Sequence, residues 1–168
     1  MNPDLDRAID VIIASLRSGG CVFACGNGGS DAHAGHLVAE LVGRFAYDRA
    51  PMRAVHLSSG GPVGSCIAND YGWDQVFARQ VDALCTETDV LVVFTTSGQS
   101  ANIKIAAARS KASVVAITGP AGLMVQPSVV LTDHVVRSTA TTTPAIQEQH
   151  QAWVHEVARR VEEALCPR

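Results

Sequence analysis

The amino-acid sequence predicts an α/β fold in which helices cover both faces of a parallel sheet of about five strands. Short apolar segments that end in glycine- or hydroxyl-rich turns alternate with helical segments along the chain. No repeat and no change in composition divides the 168 residues, which is the length of one ordinary domain. We therefore expect a single domain over residues 1–168.

The first half of the chain predicts two helices and two strands. Apolar residues at helical spacing indicate a helix over residues 4–16, which a pair of glycines ends. Residues 21–25 form a short apolar segment typical of a buried strand, and a helix follows over residues 31–45. A second strand is expected at residues 53–57, and the glycine- and serine-rich residues 58–65 indicate a loop.

The second half continues the alternation and contains the most apolar strand. Residues 89–95 are that strand, with a helix before it and another after it. A glycine- and proline-containing turn at residues 119–122 and a threonine-rich loop at residues 138–144 separate the last elements. The remaining expected elements are helices at residues 73–84, 101–109 and 145–165 and strands at residues 113–118 and 129–137.

Composition excludes several classes of protein. Hydrophobic residues make up 47% and charged residues 17% of the chain, which argues against disorder. The net charge is -3 without a basic stripe, so we expect no nucleic-acid partner. The apolar runs are too short to cross a membrane, and the first 20 residues lack a signal-peptide pattern. Five scattered cysteines without a C-x-x-C pair indicate a reduced, cytoplasmic protein with no cysteine-built zinc site.

Two turns have the composition of a phosphate-binding site. Residues 26–30 and 95–100 each follow an apolar strand and precede a helix, and they offer backbone amides and hydroxyl groups. One such turn is more often structural, because serine and threonine are common helix caps, but two in a short chain favour phosphate binding. Neither turn is a Walker A loop or a complete dinucleotide fingerprint, so we expect a phosphorylated small substrate and no nucleotide cofactor.

Acid–base and metal-ligand candidates lie on two helices. His36 and Glu40 share one helix face, and Gln147, Gln151 and His155 share a face of the last helix. Such residues can transfer protons or bind a divalent metal, whereas a solvated face is the alternative. Gln147 and His155 are separated by about 12 Å along a helix, so they contact one small ligand only if their side chains lean together. Otherwise they serve different sites or sites shared between subunits.

Four further residues have less specific interpretations. His33 could join His36, and His150 is expected on another face of its helix. Asp70 is interpreted as a loop carboxylate that binds a substrate hydroxyl or caps the next helix. Cys25 is interpreted as a small packing residue.

Five motifs, in order, resemble the phosphoheptose isomerases, which are members of the sugar isomerase (SIS) family. The resemblance covers about residues 5 to 165. The motifs are Cys25-Gly26-Asn27-Gly28-Gly29-Ser30, His36-x-x-x-Glu40-Leu41-x-Gly43-Arg44, Ala68-Asn69-Asp70-Tyr71-Gly72, Thr96-Ser97-Gly98-Gln99-Ser100-Ala101-Asn102 and Ile146-Gln147-Glu148-x-His150 with His155 behind it.

The resemblance implies a fold, an assembly and a reaction. The fold would be a single SIS domain, a flavodoxin-like three-layer α/β/α sandwich with a five-stranded parallel sheet. The assembly would be a homotetramer with active sites at subunit interfaces. The reaction would convert sedoheptulose 7-phosphate to D-glycero-D-manno-heptose 7-phosphate through an enediol(ate).

The resemblance also implies roles for individual residues. Glu40 and His155 would be the acid–base pair, and Asn27 and Asp70 would contact the sugar. The phosphate would be held by Ser30, Thr95, Thr96, Ser97 and Ser100. The remaining substrate contacts would be Gly28, Gly29, Glu40 and Gln147, and zinc, bound in some family members, would be held by His36, Glu40, Gln147 and His155.

The chain departs from the family at three places, and two other functions are alternatives. Ala145 stands where arginine is usual, Thr95 stands where serine is common, and the segment before residue 4 is short. A non-catalytic relative that binds the bacterial replication initiator lacks the glutamate and second histidine that Glu40 and His155 provide here. Sugar-phosphate sensors in transcription regulators carry an added DNA-binding module, for which 168 residues leave no space.

Overall fold

The computed structural model describes residues 2–58, 60–123 and 134–168. Five parallel strands form one sheet in the order β2-β1-β3-β4-β5. The strands are β1 (Val22–Cys25), β2 (Ala54–His56), β3 (Val90–Thr95), β4 (Ser113–Thr118) and β5 (His134–Arg137). This order is the flavodoxin-like one, so the predicted fold class is confirmed.

Helices cover both faces of the sheet. They are α1 (Pro3–Arg17), α2 (Gly29–Val42), α3 (Gly61–Tyr71), α4 (Val76–Leu84), α5 (Ala101–Arg109) and α6 (Thr143–Leu165). One hydrophobic core lies between the sheet and α1, α2 and α6, and the other lies between the sheet and α4 and α5. All six residues of β3 are buried because both of its faces are covered, which explains its continuous apolar run.

None of the helices in the described part of the chain combines the length and apolar character that crossing a membrane requires.

The structure corrects the predicted loop at residues 58–65. Helix α3 begins at Gly61, with a proline in its first turn, and extends to Tyr71. Only Gly64 and Ile67 of this helix are buried, so its apolar periodicity is too weak to reveal it. Asp70 therefore lies in the last turn of α3, and its interpretation as a loop carboxylate was wrong.

Other element boundaries also differ from the prediction. Helix α2 begins at Gly29 and ends at Val42. Gly29 and Ser30, expected in the glycine-rich loop before the helix, are therefore its first two residues. The expected helix at residues 73–84 begins as a 3-10 helix, Trp73–Gln75, before α4. Residues 129–133 of the predicted last strand lie outside the described residues.

A buried ion pair connects the segment after α2 to α6. Arg49 Nε lies 3.1 Å from Glu162 Oε1, and these side chains are 3% and 1% exposed. The backbone N–H groups of Phe45 and Ala46 donate to the same carboxylate at 3.0 and 2.8 Å. Burial alone would raise the pKa of Glu162, but these hydrogen bonds and Arg49 outweigh it and hold the pKa below its ordinary value.

We predict that Glu162→Gln lowers the free energy of unfolding by about 3–5 kcal/mol at neutral pH, because it leaves the buried Arg49 without its charge partner. Urea unfolding measures this loss. The depressed pKa makes the carboxylate stabilising above its unfolded pKa of about 4.3, and this contribution is lost as pH falls through the folded pKa. The difference between the two proteins should therefore shrink at acid pH.

Glu163→Gln is the matched control, since Glu163 is the exposed neighbour on the same helix and pairs with Arg159 at the surface. Its cost should be about 0.2–1 kcal/mol. An equal effect of both substitutions would contradict the stabilising role of the buried pair.

Candidate active site

The carboxyl ends of β1 and β3 bring the two predicted turns together. The strands are neighbours in the sheet, with Cys25 opposite Val93. They are far apart in sequence: the Cys21 N–H before β1 donates a hydrogen bond to the carboxylate of Asp89 before β3, 68 residues later. The strand order reverses between β1 and β3, because β2 lies on the outer side of β1 whereas β4 and β5 lie beyond β3. Such a point leaves a crevice beyond the strand ends, where ligands bind in flavodoxin-like folds.

A small cavity, here called the hydroxyl pocket, lies in this crevice. Its volume is about 110 Å³, and its lining residues are Asn27, Ser30, Phe94, Thr95, Thr96, Ser97 and Ser100. The structure thus places all five predicted phosphate-binding hydroxyl groups around one cavity. These residues are neutral, so an anion there would be held by hydrogen-bond donors and helix N-termini.

Two hydroxyl groups of the hydroxyl pocket are oriented by the loop that carries them. The Thr95 oxygen accepts a hydrogen bond from Gly98 N–H at 3.1 Å, and the Ser97 oxygen accepts one from Gln99 N–H at 3.2 Å. A hydroxyl that accepts in this way keeps its O–H to donate. Ser30 and Thr95 are each 4% exposed, so the pocket reaches into the protein.

Glycines allow the close backbone approaches at this edge. Gly98 has a positive φ of 67°, and a side chain there would collide with the carbonyl of Gly122. A Cβ at Gly29 would collide with the side-chain amide of Gln147. The N-terminus of α2 is therefore in direct contact with α6.

A reciprocal pair of amide side chains connects the two turns. Asn27 Nδ2 donates to Asn102 Oδ1 and Asn102 Nδ2 donates to Asn27 Oδ1, both at 2.9 Å. Asn102 is 1% exposed, and its Oδ1 also accepts from the N–H of Ile103 at 2.9 Å. Asn27, expected to contact the sugar, thus uses its amide to connect the turn after β1 to α5.

The second feature is a cluster of His36, Glu40 and His155, here called the His–Glu–His cluster. One potential ligand atom from each residue lies within 4.8 Å of the others. His36 Nε2 is 2.9 Å from Glu40 Oε1, and the rings of His36 and His155 meet edge to face at 5.1 Å. The structure therefore brings together residues predicted on two separate helices.

The cluster fits a zinc ion in the chemistry of its donors. Catalytic zinc sites use three protein ligands such as two imidazoles and one carboxylate. Ligand atoms about 2.0–2.2 Å from zinc lie within about 4 Å of one another, so small side-chain movements would complete the site.

The two glutamines of α6 occupy different places. Gln147, the predicted fourth zinc ligand, lies beside Gly29 at the N-terminus of α2. Gln151 contacts the His–Glu–His cluster, with its Nε2 2.9 Å from His36 Nδ1 and 3.1 Å from His155 Nε2. Of these two glutamines, Gln151 is the one whose described contacts include His155.

His33, His150 and Cys25 pack beneath the site. His150 is fully buried and its Nε2 lies 3.1 Å from the carbonyl of Thr118, as expected for a residue on another helix face. Burial lowers the pKa of both His33 and His150, which keeps them neutral. Burial also raises the pKa of the Cys25 thiol, which suits a packing residue.

Three contacts escaped the sequence analysis. Asn102 belongs to a quoted motif, but no sequence signal pairs it with a residue 75 positions away. His56 pairs with Asp31 at 2.8 Å, which connects β2 to the first turn of α2. Asp70 is exposed and accepts a hydrogen bond from Asn69 Nδ2 at 2.8 Å.

Comparison with known proteins places the chain among related sequences and structures. The SIS domain family matches residues 1–119. A phosphoheptose isomerase of Rhodospirillum rubrum is 44% identical over 98% of this chain and 87% of its own length. Phosphoheptose isomerase structures from Francisella tularensis and Neisseria gonorrhoeae superpose with TM-scores of 0.88 and 0.86. Each is 34% identical, over 96% of this chain and 86% of the other.

We predict that Asn27→Ala and Asn102→Ala each lower the free energy of unfolding by about 1–3 kcal/mol, because each leaves the other amide unpaired. The double substitution should cost less than the sum of the two, with a coupling of about 0.5–3 kcal/mol. Urea unfolding of all four proteins measures this cycle. Additive losses would show that the two amides do not act as a pair.

Proposed function

Because this chain belongs to the phosphoheptose isomerase family of SIS-domain proteins, we propose that it converts sedoheptulose 7-phosphate to D-glycero-D-manno-heptose 7-phosphate. The observation that carries the proposal is the position of α2. This helix begins beside the hydroxyl pocket with Ser30 and then contributes His36 and Glu40 to the His–Glu–His cluster.

The length of α2 supports a substrate with a long carbon chain. At roughly 1.5 Å per residue, His36 lies about 9 Å and Glu40 about 15 Å beyond Ser30 along the helix axis. In a heptose 7-phosphate, the reacting carbons C1 and C2 lie at the opposite end from the phosphate. With its phosphate in the hydroxyl pocket, the substrate would therefore extend along α2 and place C1 and C2 near the His–Glu–His cluster.

Proton transfer by Glu40 and His155 accounts for the reaction. Glu40 takes a proton from C1 of the ketose, and the electron pair forms the C1–C2 double bond of the enediol(ate). His155 gives a proton to O2 and takes the proton from O1 as the C1 carbonyl forms. Glu40 returns its proton to C2, so both residues recover their starting states. The conversion is redox-neutral, so it requires no nucleotide cofactor.

The phosphate contributes binding energy far from the reacting carbons. The hydroxyl pocket offers O–H donors and backbone N–H groups at two helix N-termini. Binding energy at such a remote group aligns C1 and C2 with Glu40 and His155. Ala145, where the family usually has arginine, removes one charge near the site, and preference for a different ketose phosphate is the alternative.

Zinc is part of the proposal. His36, Glu40 and His155 would hold the ion, and the resemblance assigns the fourth position to Gln147. Glu40 has a second carboxylate oxygen and His155 a second ring nitrogen, and these atoms would remain for proton transfer. When bound, zinc supplies positive charge that stabilises negative charge on the sugar oxygens.

A homotetramer with sites between subunits is also part of the proposal. Val63, Tyr71 and Trp73, on α3 and the 3-10 helix, are 59%, 54% and 52% exposed although they are apolar. Apolar surface of this kind supports contact with another copy of the chain. Asp70 lies on the same helix, so a sugar contact by Asp70 would be made at such an interface.

We predict that Glu40→Gln and His155→Ala each lower turnover at least about 100-fold while the protein stays folded, because each removes a proton-transfer group. The measurement is proton NMR of sedoheptulose 7-phosphate in D2O, with added zinc and with chelator. Deuterium at C2 of the aldose would report exchange of the transferred proton with solvent.

Glu87→Gln is the control, because Glu87 is exposed in the turn before β3, at the other edge of the sheet. Activity of Glu40→Gln near that of the unsubstituted protein would contradict the assignment of the base. Absence of turnover by the folded, unsubstituted protein in every metal condition would favour a non-catalytic sugar-phosphate-binding protein or another substrate.

We predict that Ser97→Ala and Ser100→Ala raise KM more than they lower kcat, because loss of one of several phosphate donors weakens binding of the substrate and of the transition state alike. Steady-state kinetics with the heptose phosphate measures both constants, and Ser110→Ala, at the opposite end of α5, is the control. Unchanged KM values would place the phosphate at another loop.

A further inference from the structure

Gln151 makes a contact that the family resemblance does not assign. Its side-chain amide lies between two residues of the His–Glu–His cluster, with Nε2 2.9 Å from His36 Nδ1 and 3.1 Å from His155 Nε2. The amide oxygen, Oε1, is 3.3 Å from the same His36 nitrogen. One amide group therefore contacts both histidines.

The shorter contact, from Gln151 Nε2 to His36 Nδ1, fits one tautomer of His36, which we assign to the protein without a bound cation. The amide nitrogen has two N–H donors and no acceptor, so it donates to ring nitrogens that carry no proton. His36 Nδ1 is then unprotonated, and the ring proton lies on Nε2. That nitrogen is 2.9 Å from Glu40 Oε1, so its N–H donates to the carboxylate.

A cation in the cluster reverses these requirements. His36 Nε2 faces Glu40, so these two groups would bind the ion together. A nitrogen that binds an ion carries no proton, so the ring proton must then lie on Nδ1. A metal-bound histidine almost always donates its other ring N–H to a fixed partner, which orients the ring. The acceptor nearest to His36 Nδ1 in the described contacts is Gln151 Oε1.

We propose that Gln151 is a positioning residue for His36, whose amide donates to Nδ1 in the metal-free protein and accepts from Nδ1–H when Nε2 binds a divalent cation. Rotation of the amide by half a turn exchanges its oxygen and nitrogen. The same rotation removes the N–H from His155 Nε2 and frees its lone pair. The inference rests on the cation site of the proposed function.

Glutamine is suited to this task in a way that related side chains are not. A carboxylate accepts but cannot donate, so it would serve only the cation-bound state, and an apolar side chain would serve neither. Gln147 cannot replace Gln151, because its amide lies against Gly29 at the start of α2.

Binding of Co2+ and Zn2+ to the purified protein tests the inference without substrate. Absorption spectroscopy follows Co2+, and competition with a chelating dye measures the Zn2+ affinity. We expect Gln151→Met to weaken binding about 10–100-fold, the usual effect of removing a partner of a metal-bound histidine. Gln151→Glu, which retains the acceptor, should keep or increase the affinity.

Ala152→Met is the matched control, since it places the same side chain at the adjacent, exposed position of α6. Unchanged affinity in Gln151→Met, or equal weakening in Gln151→Met and Gln151→Glu, would overturn the inference while leaving the cation site intact. Altered cobalt bands in Gln151→Met would show direct contact with the ion and would overturn a positioning role. Failure of the unsubstituted protein to bind either ion would overturn the cation site and this inference together, whereas NMR turnover tests the isomerase separately.

Discussion

The pairing of β1 with β3 is the constraint on which the candidate site depends. Along the chain, β1 and β3 are separated by α2, β2, α3, the 3-10 helix and α4, yet their carboxyl ends lie side by side in the sheet. The turns that follow them consequently meet in one crevice, and the Asn27–Asn102 amide pair connects them there. Without this register the hydroxyl groups of the hydroxyl pocket would belong to two separate loops.

Helices α2 and α6 extend the site away from the sheet. Helix α2 fixes the distance between the hydroxyl pocket and the His–Glu–His cluster, because a helix has a constant rise per residue. Helix α6 packs against α2. Near its start it contacts Gly29, and one to two turns later it contributes to the cluster. Near its end, Glu162 connects it to the segment after α2. The position of the hydroxyl pocket relative to the His–Glu–His cluster is therefore set by helix packing.

Much of this arrangement could be predicted from local sequence. Strong apolar runs such as β3 revealed the sheet, and the composition of the two turns indicated the hydroxyl pocket. Helix α3 was missed because most of its side chains are exposed, so burial imposes no periodic pattern on it. The Asn27–Asn102 pair and the position of Gln151 result from tertiary packing, which spacing along one helix cannot specify.

Neutral amides connect the parts of the site for an electrostatic reason. A phosphate monoester, the proposed ligand of the hydroxyl pocket, carries about -1.5 to -2 charges at neutral pH, and the proposed divalent cation would add positive charge at the other end. Charged side chains between them would compete for either ligand, or would lie unpaired in a half-buried crevice when the ligands leave. Asn27, Asn102, Gln147 and Gln151 avoid both problems, because an amide donates and accepts hydrogen bonds without a net charge. The hydrogen-bonded framework would thus need no counter-charge before or after the proposed ligands bind.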